Sequence, residues 1–143
     1  MILLDAYALI SLLAGEQAAD EVGALIAEGE VAIAAPNLAE AADHLARLRG
    51  IEVGRTRAAV EVLELRVRAT ELEHGWRAGE LRAKHYHRSR RPLSLGDCLL
   101  LAAVGADDRL ATADPHVLAT AEQEQLAWIA LLDSAGERHS PAG

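Results

Sequence analysis

Short apolar runs alternate along the chain with longer segments of helical pattern, and this alternation restricts the fold more than any other feature. The runs predicted as strands lie at residues 2–4, 31–34, 66–69, 109–112 and 126–132. Parallel strands need a crossover connection between them, which is usually a helix. We therefore predict an α/β fold, a three-layer α/β/α sandwich with a mainly parallel, short-stranded sheet.

Glycine, proline and capping residues set the predicted helix boundaries. Helices are expected over residues 6–13, 16–28, 55–65, 70–86 and 94–104, and two more begin near Asn37 and Asp114. Asn37 is predicted to cap its helix, which would place Glu40 in the first turn. Thr70 and Glu73 have the spacing of a capping box.

The length of 143 residues fits one domain, which we predict over residues 1–133, with a polar and frayed tail over residues 134–143. The single cysteine, Cys98, lies in an apolar run and can form no internal disulfide, which is compatible with a reducing compartment. We find no signal peptide and no apolar run long enough to span a membrane. The expectation is a cytoplasmic protein without membrane contact.

The charge and the aromatic content argue against one class of protein. The formal net charge is −8, and the chain has no Phe, two Trp and two Tyr. Proteins that coat nucleic acids bind phosphate through Lys and Arg and stack bases on aromatic rings. An enzyme that approaches phosphates through metal ions remains open.

Four acids occupy similar places relative to the predicted elements. Asp5 and Asp114 each follow a strand, whereas Glu40 and Asp97 lie in the predicted first turns of helices. The carboxyl ends of parallel strands and the starts of the following helices share one edge of a sheet, where ligands bind. Carboxylate clusters suit Mg²⁺ or Mn²⁺, because the cation offsets the repulsion between like charges.

The same four acids also match the positions of helix caps. Glu40 follows Asn37 by three residues and Asp97 follows Ser94 by three, which resembles a capping box. Any one of these acids alone is better explained as a cap. Four of them at equivalent boundaries favour a metal site, and the two roles are compatible.

The sequence resembles the PIN domain family, and within it the VapC-type toxin ribonucleases. Four segments carry the resemblance: LLDAYALISLLAGE (3–16), APNLAEAADHL (35–45), PLSLGDCLLLAAV (92–104) and LATADPHV (110–117). The resemblance implies a parallel sheet between helices and hydrolysis of RNA phosphodiester bonds with Mg²⁺ or Mn²⁺. It also implies a homodimer and an antitoxin partner that covers an apolar groove.

Carried over by position, the resemblance gives a catalytic set and a metal-binding subset. The catalytic set is Asp5, Glu40, Asp97 and Asp114, of which Asp5, Asp97 and Asp114 would bind the metal. Thr112 matches the hydroxyl residue of the family's Thr-x-Asp ending, where it holds a metal-bound water.

Two positions after the first acid depart from the family pattern. The family often has Ser or Thr directly after the first Asp and a small polar residue next, where this chain has Ala6 and Tyr7. Hydroxyl support from that turn would have to come from Tyr7 or Ser11. Neither departure removes a carboxylate.

A basic stretch, RAGELRAKHYHRSRR (77–91), leads into the helix that carries Asp97. It is explained equally well as a solvated helix end or as a contact for the RNA backbone. His116 follows Asp114 by two residues, but we expect it on the surface of a first helical turn. The candidate RNA-binding residues are Arg82, Lys84, Arg88, Arg90 and Arg91.

Two classes of function remain open from the sequence. The first is a metal-dependent endoribonuclease that acts as the toxin of a type II toxin–antitoxin pair. The second is a non-catalytic or regulatory α/β binding module whose acids cap helices around an acidic pocket. A PIN nuclease that acts on structured DNA is a further alternative.

Overall fold

Residues 1–141 are described by the structure, a computed structural model, and within them five strands form one sheet. The strands lie in the order β3-β2-β1-β4-β5, and all neighbours are parallel. This confirms the predicted α/β sandwich around a parallel sheet. The strands are β1 (Ile2–Leu4), β2 (Val31–Ala34), β3 (Arg66–Arg68), β4 (Arg109–Thr112) and β5 (Ala127–Ala130).

Seven helices within the described residues cover the two faces of the sheet. The first four pack on one face and the last three pack on the other. They are α1 (Ala6–Ala14), α2 (Ala19–Glu28), α3 (Ala35–Arg49), α4 (Val53–Val62), α5 (Leu72–His85), α6 (Leu95–Ala103) and α7 (Pro115–Gln123). In this part of the chain, no helix has the length and apolar character needed to cross a membrane.

β1 and β2 are apolar throughout because both faces of the sheet are covered. Leu4 pairs with Ile33 and packs into the cluster under α1 to α4. Leu3 pairs with Leu110 and packs into the cluster under α5 to α7. Successive side chains of a strand point to opposite faces, so a strand buried on both faces has no polar position to spare. This is why β2 has the predicted bounds. β4 also has the predicted bounds, but it begins at the exposed Arg109 and ends at Thr112, whose buried hydroxyl bonds to Asp5.

Four predicted helix starts were wrong, and one of them, the start of α4 at Val53 rather than at residue 55, differs by only two residues. The second helix begins at Ala19 rather than residue 16, because the backbone N–H of Ala18 donates to Ser11 Oγ (2.9 Å) in a turn before it. The third helix begins at Ala35, directly after β2, with Pro36 in its first turn, so Asn37 is not its cap. The capping box of α5 uses Glu71 and His74, whose Nδ1 accepts from the N–H of Glu71 (3.0 Å).

The chain beyond β5 turns back along the sheet through a segment that we name the C-terminal turn (residues 132–139). Tyr7 donates its hydroxyl hydrogen bond to the carbonyl of Leu132 (2.8 Å), and Glu21 accepts from the N–H of the same residue. Arg138 donates to the carbonyl of Ala130 and to Glu21. The fraying predicted for residues 134–143 concerns motion, so it stays a prediction. Residues 142–143 lie outside the described part of the chain.

Helix α6 offers a matched test of the core. Leu100 is fully buried beneath α5, whereas Leu95 on the same helix is 62% exposed. Leu100→Ala should lower the free energy of unfolding by about 2–5 kcal/mol, because it removes buried methyl groups and leaves a cavity. Leu95→Ala should change it by about 0.5 kcal/mol or less. Urea unfolding followed by circular dichroism measures both, and equal effects would contradict the packing of α6.

Candidate active site

The carboxylate of Asp5 lies where the two central strands end. Asp5 caps α1, and its Oδ1 accepts a hydrogen bond from the N–H of Ala8 (2.8 Å). Its Oδ2 accepts from the hydroxyl of Thr112 at the end of β4 (2.5 Å). Thr112 Oγ1 in turn accepts from the N–H of Asp114 (3.1 Å). The hydroxyl of Thr112 therefore connects the first and last acids of the site.

Asp97 and Asp114 cap the two helices that begin beside Asp5. Asp97 Oδ2 accepts from the N–H of Ser94 (2.9 Å), and Ser94 Oγ accepts from the N–H of Asp97 (3.0 Å), which completes a capping box. Asp114 Oδ1 accepts from the N–H of His116 (2.7 Å) and of Val117 (3.4 Å). The capping interpretation of these acids is thus right for their hydrogen bonds, and it does not exclude a shared site.

Glu40 reaches the site from the second turn of α3 rather than from the first, since that helix begins at Ala35. Its carboxylate lies against Gly96 at the start of α6, where an added Cβ would be 1.8 Å from Glu40 Oε1. The absence of a side chain at Gly96 gives this carboxylate its space. Glu40 caps no helix, so the capping interpretation does not apply to it.

Asn37 is a site residue that we predicted only as a cap. It is buried in α3, and its Nδ2 donates to the carbonyl of Gly96 at 3.4 Å. Its Oδ1 is buried and has no hydrogen-bond partner in residues 1–141. A buried acceptor without a donor is costly, so an oxygen-seeking ligand in the adjacent cleft would satisfy it.

All four predicted acids line one open cleft of about 480 Å³, which we call the acidic cleft. The structure therefore brings together the whole predicted catalytic set. Thr112 lies behind the cleft and orients Asp5 and Asp114 from there. The other lining residues are Ala6, Tyr7, Asn37, Ala113, Pro115, His116, Asp133, Ser134 and His139.

Part of this cleft wall was not predicted from the sequence. His116, expected on the surface, is only half-exposed and borders the acids. Asp133, Ser134 and His139 come from the C-terminal turn, where Asp133 is the last residue of the predicted domain and the other two belong to the segment expected to fray. No local sequence signal marks them, because their position depends on contacts with α1 and α2.

The predicted hydroxyl support near Asp5 comes from Thr112 and not from α1. The Tyr7 hydroxyl donates to Leu132, and Ser11 Oγ accepts from Ala18. Both hydroxyls therefore hold neighbouring segments in place. Tyr7 still borders the cleft with its ring.

Burial and mutual repulsion oppose ionisation of the acids. The pKa of Asp5 is raised to about 7, chiefly by burial and also by the charges of Asp97 and Asp114, although the bonds from Thr112 and Ala8 act in the other direction. Burial also raises the pKa of Asp97 and of Glu40, with like-charge neighbours adding to it. A bound cation would favour the ionised form of every one of these groups.

The donors in the cleft fit a hard divalent cation. They are carboxylate oxygens and the unpartnered amide oxygen of Asn37, which is the donor type that Mg²⁺ and Mn²⁺ prefer. In their present orientations, no three acidic, histidine or cysteine side chains among residues 1–141 form a group that could hold an ion. Binding would therefore require carboxylates to turn toward the ion.

A family model described as PIN domain matches residues 2–139. The chain belongs to the PIN domain family. PIN domains are in general nucleases, and PIN nucleases typically use divalent metal ions. Among curated proteins, no significant match is found.

Solved PIN structures share the fold at low sequence identity. A toxin–antitoxin complex from Klebsiella pneumoniae aligns with a TM-score of 0.61 and 23% identity, over 80% of this chain and 87% of that chain. FitAcB from Neisseria gonorrhoeae gives 0.61 and 20%, over 90% and 96%. VapBC2 from Rickettsia felis, bound to a DNA fragment from its promoter, gives 0.64 and 14%, over 90% and 98%.

Three of the five predicted RNA-binding residues are engaged within the protein. Arg82 donates to the carbonyl of Leu93 (3.1 Å) and lies 4.2 Å from the centroid of the Tyr86 ring. Lys84 pairs with Glu124 (2.7 Å), and Arg91 donates to Gln123 Oε1 (2.8 Å). These contacts attach α5 and the basic loop (residues 87–92) to α7.

Arg88 and Arg90 differ from those three residues. Both are exposed at the tip of the basic loop, where the backbones of His87 and Arg91 pair as a tight antiparallel bridge. The N–H of Arg90 donates to His87 Nδ1 (3.1 Å), which shapes the loop while the arginine side chain extends outward. No ion pair involves either side chain in the part of the chain that the structure describes.

The raised pKa of Asp5 predicts how stability depends on pH without metal. Between about pH 4 and pH 7 the folded protein keeps the Asp5 proton that the unfolded chain has lost, so stability falls as pH rises through the folded pKa. Asp5→Asn removes this penalty. In EDTA, its melting temperature should exceed that of the wild type by about 3 °C or more at pH 8, with a smaller difference at pH 4.5.

Scanning calorimetry of the two proteins at both pH values measures this difference. Asp107→Asn, an exposed surface acid, controls for the loss of one negative charge. A melting difference for Asp5→Asn that is the same at pH 4.5 and pH 8 would contradict the burial of an ionisable carboxyl.

Proposed function

We propose that the protein is a metal-dependent endoribonuclease that hydrolyses RNA phosphodiester bonds as the toxin of a type II toxin–antitoxin pair. The observation that carries this proposal is the convergence of Asp5, Glu40, Asp97 and Asp114 on one cleft. Membership of the PIN family supports nuclease chemistry. The resemblance to VapC-type toxins supports RNA as the substrate and a toxin role.

Each group of the cleft has a distinct role in this proposal. Asp5, Asp97 and Asp114 would hold Mg²⁺ or Mn²⁺, and Glu40 would bind it as well or orient the attacking water. When bound, the divalent cation activates water for attack on phosphorus and offsets charge on the leaving oxygen. Cleavage by water in this way leaves a 5′-phosphate and a 3′-hydroxyl.

The chain's own residues prepare the site for that chemistry. Thr112 fixes the directions of the Asp5 carboxylate and the Asp114 backbone through its two hydrogen bonds. Helices α1, α6 and α7 all begin at the cleft, and their N-cap residues are Asp5, Ser94 and Asp114. The partial positive charges of these helix N-termini attract an anionic phosphate to an otherwise acidic site.

An antitoxin and a second copy of the chain are the proposed partners. The solved neighbours include toxin–antitoxin complexes, and the protein has an apolar groove of about 620 Å³ between α3, α4 and β3. The groove is bordered by Leu38, Val53, Val60 and Val67, of which Val53 and Val67 are largely exposed. Such a surface fits an apolar segment of an antitoxin. The homodimer rests on the resemblance alone.

The binding-module alternative has one observation in its favour. Asp97 and Asp114 already satisfy helix N–H groups, and the described side chains form no ready ion site. A module of this kind would bind ligands without hydrolysing them. Mn²⁺ at millimolar concentration would then leave the melting temperature unchanged in both the wild type and Asp97→Asn.

Asp97→Asn tests the nuclease proposal. An asparagine oxygen can still accept the hydrogen bond from Ser94, so the cap of α6 survives while the negative charge is lost. The variant should lose Mn²⁺-stimulated RNA cleavage by about 100-fold or more, since the neutral amide supplies no negative charge to hold the cation. Gel analysis of RNA incubated with and without Mn²⁺ measures the loss.

Asp107→Asn, which removes an exposed acid outside the cleft, should cleave like the wild type. Circular dichroism and melting curves establish that Asp97→Asn is folded. Undiminished cleavage by a folded Asp97→Asn protein would refute the proposed site. Parallel incubation with DNA of the same sequence tests the DNA-nuclease alternative.

The basic loop gives a second prediction. Arg88→Ala combined with Arg90→Ala should weaken RNA binding at low salt by about three- to tenfold. It should also reduce the slope of log affinity against log salt by about 1, because fewer phosphate counterions are released. Fluorescence anisotropy with labelled RNA and the Asp97→Asn background, which prevents cleavage, measures both quantities.

Arg55→Ala combined with Arg57→Ala removes the same charge from the exposed side of α4 and serves as the matched control. Equal salt slopes for the two double variants would mean that the basic loop makes no specific contact with RNA.

A further inference from the structure

The C-terminal turn brings a histidine–aspartate pair to the wall of the acidic cleft. His139 Nε2 lies 2.7 Å from Asp133 Oδ2, and both residues border the cleft. The His139 side chain is 34% exposed, and its Nε2 edge is held by Asp133. Neither His139 nor Asp133 is one of the four acids or a hydrogen-bond partner of those acids in the described residues.

Asp133 is held in place by the backbone of the turn. Its Oδ1 accepts hydrogen bonds from the N–H groups of Ala135 and Glu137, both at 2.9 Å. These backbone bonds and the bond to His139 lower the pKa of Asp133, which keeps the carboxyl ionised. Gly136, at φ +79°, permits the tight reversal that aligns these donors. Asp133 thus presents a fixed carboxylate oxygen to the imidazole.

The carboxylate decides which ring nitrogen of His139 carries the hydrogen in the neutral imidazole. An ionised carboxylate only accepts hydrogen bonds, so we assign the N–H to Nε2. Nδ1 is then the free acceptor of the ring, and it makes no hydrogen bond within residues 1–141. This assignment restricts what His139 can recognise in the cleft.

We propose that His139 is a substrate-binding residue whose Nδ1 accepts a hydrogen bond from a ribose 2′-hydroxyl of RNA bound in the acidic cleft. This inference rests on the proposed cleavage of RNA and deepens it. Phosphate oxygens are acceptors and cannot pair with an acceptor nitrogen. The 2′-hydroxyl is a donor, and it is the group that distinguishes RNA from DNA at a given site.

Tyr7 connects the C-terminal turn to the helix that begins at Asp5. Tyr7 lies two residues after Asp5 on α1 and donates to the carbonyl of Leu132, directly before Asp133. Glu21 on α2 accepts from the N–H of Leu132 and pairs with Arg138 (3.1 Å). The position of the imidazole is therefore set relative to the catalytic carboxylates by contacts with the two helices behind the cleft.

The test is a double-mutant cycle, in which a substitution in the protein is combined with a 2′-deoxy substitution in the RNA. The substrate is an RNA oligonucleotide that the wild type cleaves with Mn²⁺, with copies that carry one 2′-deoxyribose at each position around the cleavage site. Assays run at pH 8, where imidazole is ordinarily neutral. For the wild type, kcat/KM should fall about three- to tenfold when the 2′-deoxyribose is at one particular position of the RNA. His139→Ala should show the same fall with the unmodified RNA.

The expected signature is non-additivity. In His139→Ala, the deoxy substitution at that one position should cost nothing further, whereas deoxy substitutions elsewhere keep their wild-type cost. A merely structural role for His139 would lower cleavage of all the oligonucleotides alike. His44→Ala, which changes a histidine on α3 away from the cleft, should match the wild type throughout.

Asp133→Asn gives a second, independent variant. The asparagine Oδ1 keeps the two backbone bonds of the turn, but its Nδ2–H₂ donates to His139 Nε2 and shifts the ring hydrogen to Nδ1. Discrimination against the single deoxy substitution should disappear while the melting temperature is retained. Wild-type discrimination at that position in either variant would overturn the inference and leave the proposed function standing. Absence of any RNA cleavage by the wild type would overturn both.

Discussion

The buried hydrogen bond from Thr112 to Asp5 is the contact on which the arrangement of the site depends. It joins the ends of β1 and β4, the two strands at the centre of the sheet, and Asp5 is only 7% exposed there. A carboxylate at this depth is opposed by desolvation, which explains the raised pKa of Asp5. The bonds from Thr112 and Ala8 offset part of that cost.

Helix capping and the proposed catalysis use the same carboxylates in this protein. Three helices begin at the acidic cleft, and an acid in the cap or first turn of each one accepts a backbone N–H bond. The helix N-termini stabilise the carboxylates, and the caps hold the carboxylates near one another despite their repulsion. Substitution by asparagine, which preserves the acceptor, separates the two roles better than substitution by alanine.

Much of this arrangement follows from local sequence. Val31–Ala34 is buried on both faces and apolar along its length, which gives it the predicted bounds; Arg109–Thr112 also has the predicted bounds, although it begins and ends with polar residues. Asp5, Asp97 and Asp114 follow from their places at strand ends and helix starts. Asn37 and Glu40 were misplaced within their helix, because α3 begins directly after β2 without a loop, and Pro36 lies inside its first turn rather than before it.

Long-range contacts explain what the sequence did not reveal. Asp133 and His139 are six residues apart in a polar segment that has no periodicity, and long-range bonds bring them to the cleft. Tyr7 donates to Leu132, Leu132 donates to Glu21, and Arg138 donates to Ala130 and Glu21. Tyr7 departs from the family pattern and was considered as hydroxyl support near Asp5. Its hydroxyl instead supports the opposite wall of the cleft, while Thr112 supplies the hydroxyl bonded to Asp5. The residue that departs from the family pattern thereby connects the α1 helix, which Asp5 caps, to the turn that carries His139.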